Sequence, residues 1–164
     1  MLPRADGGLS SYAPAGEPVA VAPSTPPKSR VAYAATHVVC DPLADNDPTL
    51  DADLDWEATL AYRRYLWSLG LSVAEAMDTA QRGMGLGWET SKELIRRSIA
   101  EARAEGGEIA CGAGADHLDP TDEATLSDVR DAYEEQCAFV EGEGGQVILM
   151  ASRALAARAE SPED

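Results

Sequence analysis

LSVAEAMDTAQR, residues 71–82, places a run of small and apolar residues directly before a cluster of polar side chains. The run suits a strand that is buried on both faces, as strands of parallel sheets are. The polar cluster then falls at the carboxyl end of this strand, where parallel α/β folds bind their ligands. The stretch therefore predicts a parallel sheet with a ligand site at the end of one strand.

Three further segments have the character of buried strands, and helical segments separate them. The four predicted strands are VAYAATHVVC (31–40), LSVAEAM (71–77), EIACGAGA (108–115) and QVILMAS (146–152). RALAARAE, from Arg153, begins a helix after the last strand. The order β-α-β-α-β-α-β-α with short connections predicts parallel strands that are covered by helices.

The helices are predicted from apolar residues at helical spacing and from their capping residues. Asp55 is the expected N-cap of the first helix, Thr90 with Glu93 forms a capping box for the second, and Thr125 caps the third. The expected buried faces are Ala58, Ala61, Tyr62, Tyr65, Leu66 and Leu69 in the first helix, Leu94, Ile95, Ile99 and Ala102 in the second, and Leu126, Val129, Tyr133, Gln136 and Val140 in the third.

Two architectures fit this pattern, an open doubly wound sheet and a closed (β/α)₈ barrel. The first strand-to-helix turn lacks G-x-G-x-x-G, so the dinucleotide-binding form of the open sheet has no support. We expect an α/β fold of the TIM-barrel type with about four βα units, which is half a barrel. Because a full barrel takes about 250 residues, the C-terminal end is expected to be either a truncation point or the end of an unusual chain. Two open sheet edges would also favour a homo-oligomer.

Composition sets the remaining expectations. Residues 1–29 hold six of the ten prolines and predict a disordered tail, whereas residues 30–164 form the domain. The net charge of −16 repels phosphate backbones and anionic lipid, so we expect neither nucleic acid nor a membrane as a partner. The N-terminal residues fit no signal peptide, and we expect a cytoplasmic protein. The three cysteines share no C-x-x-C spacing, which argues against a zinc site.

Polar residues follow every predicted strand and supply the candidate site. They are His37 and Cys40 from the first strand, Glu75, Asp78, Thr79, Gln81 and Arg82 from the second strand and its loop, Asp116 and His117 from the third, and Ser152 and Arg153 from the fourth. Guanidinium groups can hold a carboxylate with two hydrogen bonds, and hydroxyl and amide groups add further donors. We predict that a small-molecule carboxylate is bound by Thr79, Gln81, Arg82, Asp116 and Arg153. The candidate catalytic residues are Asp78 and His37.

Other roles for the same residues stay open. Asp78 and Arg82 stand at i and i+4, so they can instead pair with each other. His37, within an apolar strand, can be a hydrogen-bonded core residue. His37, Asp78 and Asp116 could also bind a divalent metal, although no H-x-H or H-x-x-x-H spacing supports such a site. A metal-dependent barrel enzyme is therefore kept as an alternative, and no metal ligand is assigned.

Taken in order, these segments resemble the N-terminal half of the dihydrodipicolinate synthase and N-acetylneuraminate lyase family, in a bacterial branch of it. The similarity covers residues 30 to about 160. DWEATLAYRRYLWSLG (55–70) resembles the first helix of that family. LSVAEAMDTAQRG (71–83) takes the place of its second strand and G-T-T-G-E loop, and IACGAGAD (109–116) resembles its third-strand G-V-G-A-N segment.

The resemblance implies a class I aldolase or lyase that acts on a 2-oxo acid. Thr79 matches one of the two threonines that hold the substrate carboxylate in the family, and the place of the other falls on Asp78 or Ala80. The family lysine that forms the Schiff base lies on a sixth strand, which this chain lacks. The function expected is thus a partial lyase or aldolase barrel without a cofactor, inactive by itself. A non-catalytic half barrel that binds small molecules or self-assembles is a further alternative.

Overall fold

The computed structural model describes residues 1–13, 15–17, 25, 28–46, 52–118 and 124–164. These residues form a mixed α/β fold with one four-stranded parallel sheet. No helix among them is both long and apolar enough to span a lipid bilayer. The strands are β1 (Leu2–Pro3), β2 (Leu9–Ser10), β3 (Tyr33–Ala35), β4 (Ser72–Glu75), β5 (Ile109–Ala113) and β6 (Gln146–Leu149), and the helices are α1 (Trp56–Ser68), α2 (Trp88–Glu105), α3 (Leu126–Gly142) and α4 (Arg153–Arg158).

The sheet follows chain order, β3-β4-β5-β6, and every neighbouring pair is parallel. Glu75 at the end of β4 lies opposite Cys111, and Ala113 at the end of β5 lies opposite Leu149. The carboxyl ends of the strands therefore meet at one edge, as the sequence predicts for an α/β fold with parallel strands.

The main core lies between the sheet and α2. The predicted face of α2 is confirmed, because Leu94, Ile95, Ile99 and Ala102 are all buried. On the strands, Ile109 and Cys111 point into the same cluster. The predicted face of α3 is confirmed in its inner part, where Val129, Gln136 and Val140 are buried.

The predicted buried face of α1 is wrong except at Leu66. Thr59 and Arg63 are buried with Leu66, whereas Tyr65 is half exposed. The helix is rotated away from its apolar residues because Arg63 binds Glu75 of β4 in the interior. A buried ion pair thus decides which face of this helix contacts the sheet.

Helix starts agree with the sequence at two of three positions. Asp55 caps α1 by accepting from the backbone N–H of Ala58, and Thr125 caps α3 in a full capping box with Asp128. The capping box expected at Thr90 is wrong, since α2 begins at Trp88 and has Gly87 as its N-cap. The backbone hydrogen bond from Ser91 N–H to the Gly87 carbonyl shows that α2 starts before Thr90, the expected N-cap.

The first predicted strand and the tail also differ from expectation. Only residues 33–35 of the segment 31–40 pair in the sheet, where they lie beside β4 at one edge of the described strands. In the tail, β1 and β2 form a short antiparallel pair whose turn contains Gly7 at φ 80°. These four paired residues depart from the expected disorder. Part of the tail prediction falls at 14, 18–24, 26 and 27, outside the described residues.

Candidate functional site

The loop between β4 and α2 turns sharply at the carboxyl edge of the sheet. Ala76 and Gln81, neither of them glycine, have φ angles of 51° and 64°. Such left-handed conformations cost free energy in residues with a Cβ and persist only where surrounding contacts hold them. One of these contacts is Arg82, which donates to the Ala76 carbonyl at 3.2 Å.

Arg82 is the buried centre of the loop. Its Nη1 also donates to the Gly112 carbonyl at 2.8 Å, and its Nε and Nη2 donate to the two carboxylate oxygens of Asp116 at 3.3 and 2.6 Å. Nη2 further donates to Gln136 Oε1 at 2.6 Å. The guanidinium lies 5.1 Å from the centre of the Trp88 ring, within range of a cation–π interaction. Arg82 therefore ties the loop to β5 and α3.

Gln136 extends this network to the surface of the fold. Its amide nitrogen lies 3.1 Å from Asp116 Oδ1 and 2.7 Å from His117 Nδ1. The other ring nitrogen of His117 is 3.2 Å from Glu135, which also accepts from Trp88 Nε1 at 3.2 Å. These hydrogen bonds, first that of Trp88, lower the pKa of the Glu135 carboxyl. We call Arg82, Trp88, Asp116, His117, Glu135 and Gln136 the strand-end network.

The structure changes the role predicted for Arg82. A guanidinium has five N–H donors, and those of Arg82 all point at protein acceptors. Burial lowers the pKa of Arg82, and the attraction of Asp116 opposes this shift. The pair with Asp78 does not form, since Arg82 binds Asp116 and Asp78 is exposed. Arg82 thus holds the site together and has no donor left for a ligand.

Arg153 is the cation that remains available at this edge. It is exposed, and its guanidinium makes no hydrogen bond or ion pair with any described residue. A Cβ placed on Gly83 would lie 3.6 Å from both Arg153 Nη2 and Asp116 Cβ, so the three residues adjoin. Nearby, burial raises the pKa of Tyr133, whose hydroxyl donates to the Met150 carbonyl at 2.5 Å.

The other predicted site residues divide into two groups. Thr79 has a buried hydroxyl without a hydrogen-bond partner among the described residues, and Gln81 is exposed on the same loop. His37 is exposed, and only its carbonyl is engaged, as an acceptor from Arg63 at 2.6 Å. The core-residue interpretation of His37 is therefore wrong. The Thr79 hydroxyl is thus unpaired among the described residues, whereas His37 is not part of the strand-end network.

The side chains of Glu75 and Cys111 are buried inside the fold. Glu75 accepts from Arg63 Nε and Nη2, both at 2.8 Å, with both side chains fully buried. Burial, with the nearby Glu75 charge, raises the pKa of Cys111 to about 12, which keeps this thiol from acting as a nucleophile at neutral pH.

Among the described residues, no three His, Cys, Asp or Glu side chains form a group able to hold a metal ion. The set needed by the metal hypothesis, which included His37 and Asp78, is therefore not assembled.

Gly112 allows the loop to close over β5. A Cβ at this position would lie 2.7 Å from the Ala76 carbonyl oxygen and 2.9 Å from Met150 Sδ. We expect Gly112→Ala to destabilise the fold by roughly 1–3 kcal/mol, because a backbone atom cannot move aside as a side chain does. Urea unfolding measures the change. Gly142→Ala in α3 is the control, since nothing lies within 4 Å of its Cβ and no loss is expected; equal stability of the two variants would contradict the close packing.

A cavity lies at the opposite edge of the sheet. Its volume is about 450 Å³, and Val31, Tyr33, Gly107 and Gly144 line it at the amino-terminal ends of the strands. Parallel α/β folds bind their ligands at the carboxyl edge. We therefore place the candidate site at the strand-end network, which is polar and open, and not in this cavity.

Trp88, Glu135 and Gln136 are the network residues that the sequence did not assign to the site. Gln136 stands in the predicted buried stripe of α3, and the sequence pattern predicts only a packing role for it. A glutamine between Val129 and Val140 on a buried face is itself a signal, because a buried amide requires hydrogen-bond partners. Glu135, which is largely exposed, carries no comparable signal.

Comparison with known proteins gives a family and no function. No curated protein matches the chain. A family model with the description "Protein of unknown function (DUF993)" matches residues 1–164, and the chain belongs to the DUF993 family.

Proposed function

We propose that the chain forms four consecutive βα units of a (β/α)₈ barrel and binds a small carboxylated molecule of the 2-oxo acid class at the carboxyl edge of its sheet. The observation that carries the proposal is the guanidinium of Arg153, which makes no hydrogen bond or ion pair with any described residue and borders Gly83, as the anchored Asp116 also does. The lyase or aldolase character of the barrel rests on the resemblance to the dihydrodipicolinate synthase family.

The order of the strands supports a barrel. A doubly wound sheet reverses its strand order at a switch point, whereas the four parallel strands described here follow one another without reversal. In addition, the Tyr33 hydroxyl of β3 donates at 3.3 Å to Gln146 Oε1 of β6, although β4 and β5 lie between these two strands. Because side chains stand roughly perpendicular to a sheet, this contact favours a curled sheet.

Arg153 is the proposed anchor for the ligand carboxylate. It is exposed and carries unused donors in a planar array that matches a carboxylate. The hydroxyl of Thr79 supplies a donor from the loop that resembles the family's carboxylate-binding loop. Asp116, which is held by Arg82 and Gln136 and is 17% exposed in its side chain, supplies an acceptor for a hydroxyl or amino group of the ligand.

Binding, and not imine chemistry, is what we propose for these residues. The chain has two lysines, Lys28 and Lys92. Lys92, the fifth residue of α2, forms an ion pair with Glu89 at 2.6 Å and lies over the Trp88 ring. Lys28 is exposed in the tail. Neither amine is desolvated at the strand ends, as a Schiff-base lysine has to be.

Titration with pyruvate, followed by NMR of the ¹⁵N-labelled chain, tests the proposal. We expect shifts at Gly83, Asp116 and Arg153, and a roughly tenfold or greater loss of affinity in Arg153→Gln, since a hydrogen bond to a charged group contributes about 1.5–3 kcal/mol. Arg158→Gln, on the same helix, is the matched control. Pyruvamide, which lacks the charge, is the ligand control.

Two results would overturn the proposal. One is the absence of any shift at the strand ends with millimolar pyruvate. The other is equal affinity of the Arg153→Gln variant and the unchanged chain. Borohydride trapping with pyruvate separates binding from catalysis, and we expect no covalent adduct on Lys92.

A self-assembling half barrel is the second candidate. Within the part of the chain that the structure describes, β3 and β6 each pair on one side only, which leaves two rows of backbone N–H and C=O groups unpaired there. A second copy could satisfy both rows around a twofold axis. Sedimentation equilibrium tests this candidate. A particle with twice the mass of one chain supports it, and the dimer fraction should rise in high salt, because salt screens the repulsion between two chains of charge −16. A monomer at all salt concentrations excludes it.

A further inference from the structure

The side-chain amide of Gln136 can adopt only one orientation. Its Oε1 accepts from Arg82 Nη2 at 2.6 Å and from the backbone N–H of Gly114 at 2.7 Å. Both of these groups can only donate. A flipped amide would place its NH₂ against two donors in a fully buried position, so the hydrogen-bond network assigns the oxygen and the nitrogen of this side chain.

This orientation determines the tautomer of His117. The amide nitrogen of Gln136 lies 2.7 Å from His117 Nδ1, and because it can only donate, Nδ1 must accept and carries no proton. The ring proton then lies on Nε2, which is 3.2 Å from the carboxylate of Glu135. Both contacts of the ring agree with the same tautomer.

We infer that Gln136 is a positioning residue that fixes His117 in the Nε2–H tautomer, so that His117 presents a hydrogen-bond donor at the strand-end network. The donor is directed at an acceptor, as the neutral imidazole of some enzymes is. In the structure the acceptor is Glu135, whose side chain is 60% exposed and free to move into solvent. The further step, in which a ligand carboxylate takes the place of Glu135, rests on the proposed function. The tautomer of His117 does not depend on the proposed function.

The surroundings of the ring favour this assignment. Trp88 lies with its ring 5.7 Å from that of His117, and its own Nε1–H also points at Glu135. Two ring N–H groups therefore converge on one carboxylate. Lys92, near the same carboxylate, adds positive charge, which lowers the pKa of Glu135 together with the stronger effects of Trp88 and His117. An anionic acceptor fits this arrangement of donors.

Long-range ¹H–¹⁵N correlation NMR of the full chain at about pH 8, where free imidazole is neutral, measures the tautomer directly. We expect the Nε2–H pattern for His117. His37 is the internal reference, since the chain has two histidines and the His37 ring makes no hydrogen bond to a described residue. A mixture of tautomers is expected for His37. An Nδ1–H ring, or a mixture, at His117 of the unchanged chain would overturn the inference without any variant.

Two variants separate positioning from packing. Gln136→Glu keeps the shape but turns a carboxylate oxygen toward Nδ1, and we expect the proton to appear on Nδ1. Glu135→Ala removes the acceptor at Nε2 and leaves Gln136 in place, so we expect the Nε2–H tautomer to persist. Loss of the tautomer in Glu135→Ala would show that Glu135, and not Gln136, positions the ring, and it would overturn the inference.

The same spectra test the proposed function and the role of Gln136 separately. A shift of the His117 Nε2–H signal on addition of pyruvate supports ligand replacement of Glu135. Pyruvate that binds without moving this signal overturns the replacement step. Pyruvate that does not bind at all overturns the proposed function, while an Nε2–H tautomer in the same sample still supports the role of Gln136.

Discussion

Replacement of Arg82 by methionine is expected to destabilise the fold by roughly 3–5 kcal/mol, the range for removing one partner of a buried ion pair. The guanidinium is buried and donates to two backbone carbonyls, to Asp116 and to Gln136. Without it, the carbonyls of Ala76 and Gly112 lose the Arg82 donors, and the carboxylate of Asp116 loses two donors and keeps the Gln136 amide. Urea unfolding, followed by tryptophan fluorescence, gives the difference in free energy of unfolding.

The control distinguishes burial from charge. Arg130 pairs with Asp131 at 2.8 Å, but its side chain is 65% exposed, and Arg130→Met is expected to move the unfolding midpoint little. Arg82→Lys should recover only part of the loss, because an ammonium group has three donors and cannot reproduce the planar array of five. An Arg82→Met variant within about 1 kcal/mol of the unchanged chain would show that the network is not structural.

The parts of the fold that could be predicted are those that depend on apolar spacing. The buried face of α2 and the central face of α3 follow from the recurrence of Leu94, Ile99, Val129 and Val140 at helical intervals. Burial of apolar area dominates the placement of such helices, so the pattern alone identifies the face. The parallel sheet follows from the alternation of these helices with apolar runs.

Helix α1 shows where this reasoning fails. Its apolar residues predicted one face, but Thr59 and Arg63 are buried instead, and Tyr65 is half exposed. The deciding partner of Arg63 is Glu75, which lies in another element. A helical periodicity contains no information about a charge on a strand 12 residues away. Buried polar pairs thus override the apolar pattern.

The position of the candidate site could be predicted from the sequence, but the roles of its residues could not. The rule that parallel strands end at one edge correctly brought Arg82 and Asp116 together. The roles depend on which donors are already used, and this follows only from the hydrogen bonds: Arg82 is fully occupied, whereas Arg153 is free among the described residues. Gln136, the residue that connects the network, is supplied by a helix and not by a strand end.

The buried pair of Arg63 and Glu75 should show the largest single effect in the chain. Both side chains are completely buried, and the carboxylate accepts two hydrogen bonds from the guanidinium and one from the Ala76 N–H. We expect Arg63→Met and Glu75→Leu each to cost roughly 3–5 kcal/mol or to prevent folding, because each leaves an unpaired charge in the core. Chemical unfolding of each variant measures the loss.

The double variant Arg63→Met with Glu75→Leu is expected to be more stable than either single variant, because no unpaired charge remains in it. Buried ion pairs that are replaced as a unit by apolar residues are often neutral in stability or better. The carbonyls of Thr59 and His37, which Arg63 now binds at 3.0 and 2.6 Å, would lose a donor and keep the recovery incomplete. If the two single losses simply added in the double variant, the charges would not be coupled, and the rotation of α1 would need another cause than this pair.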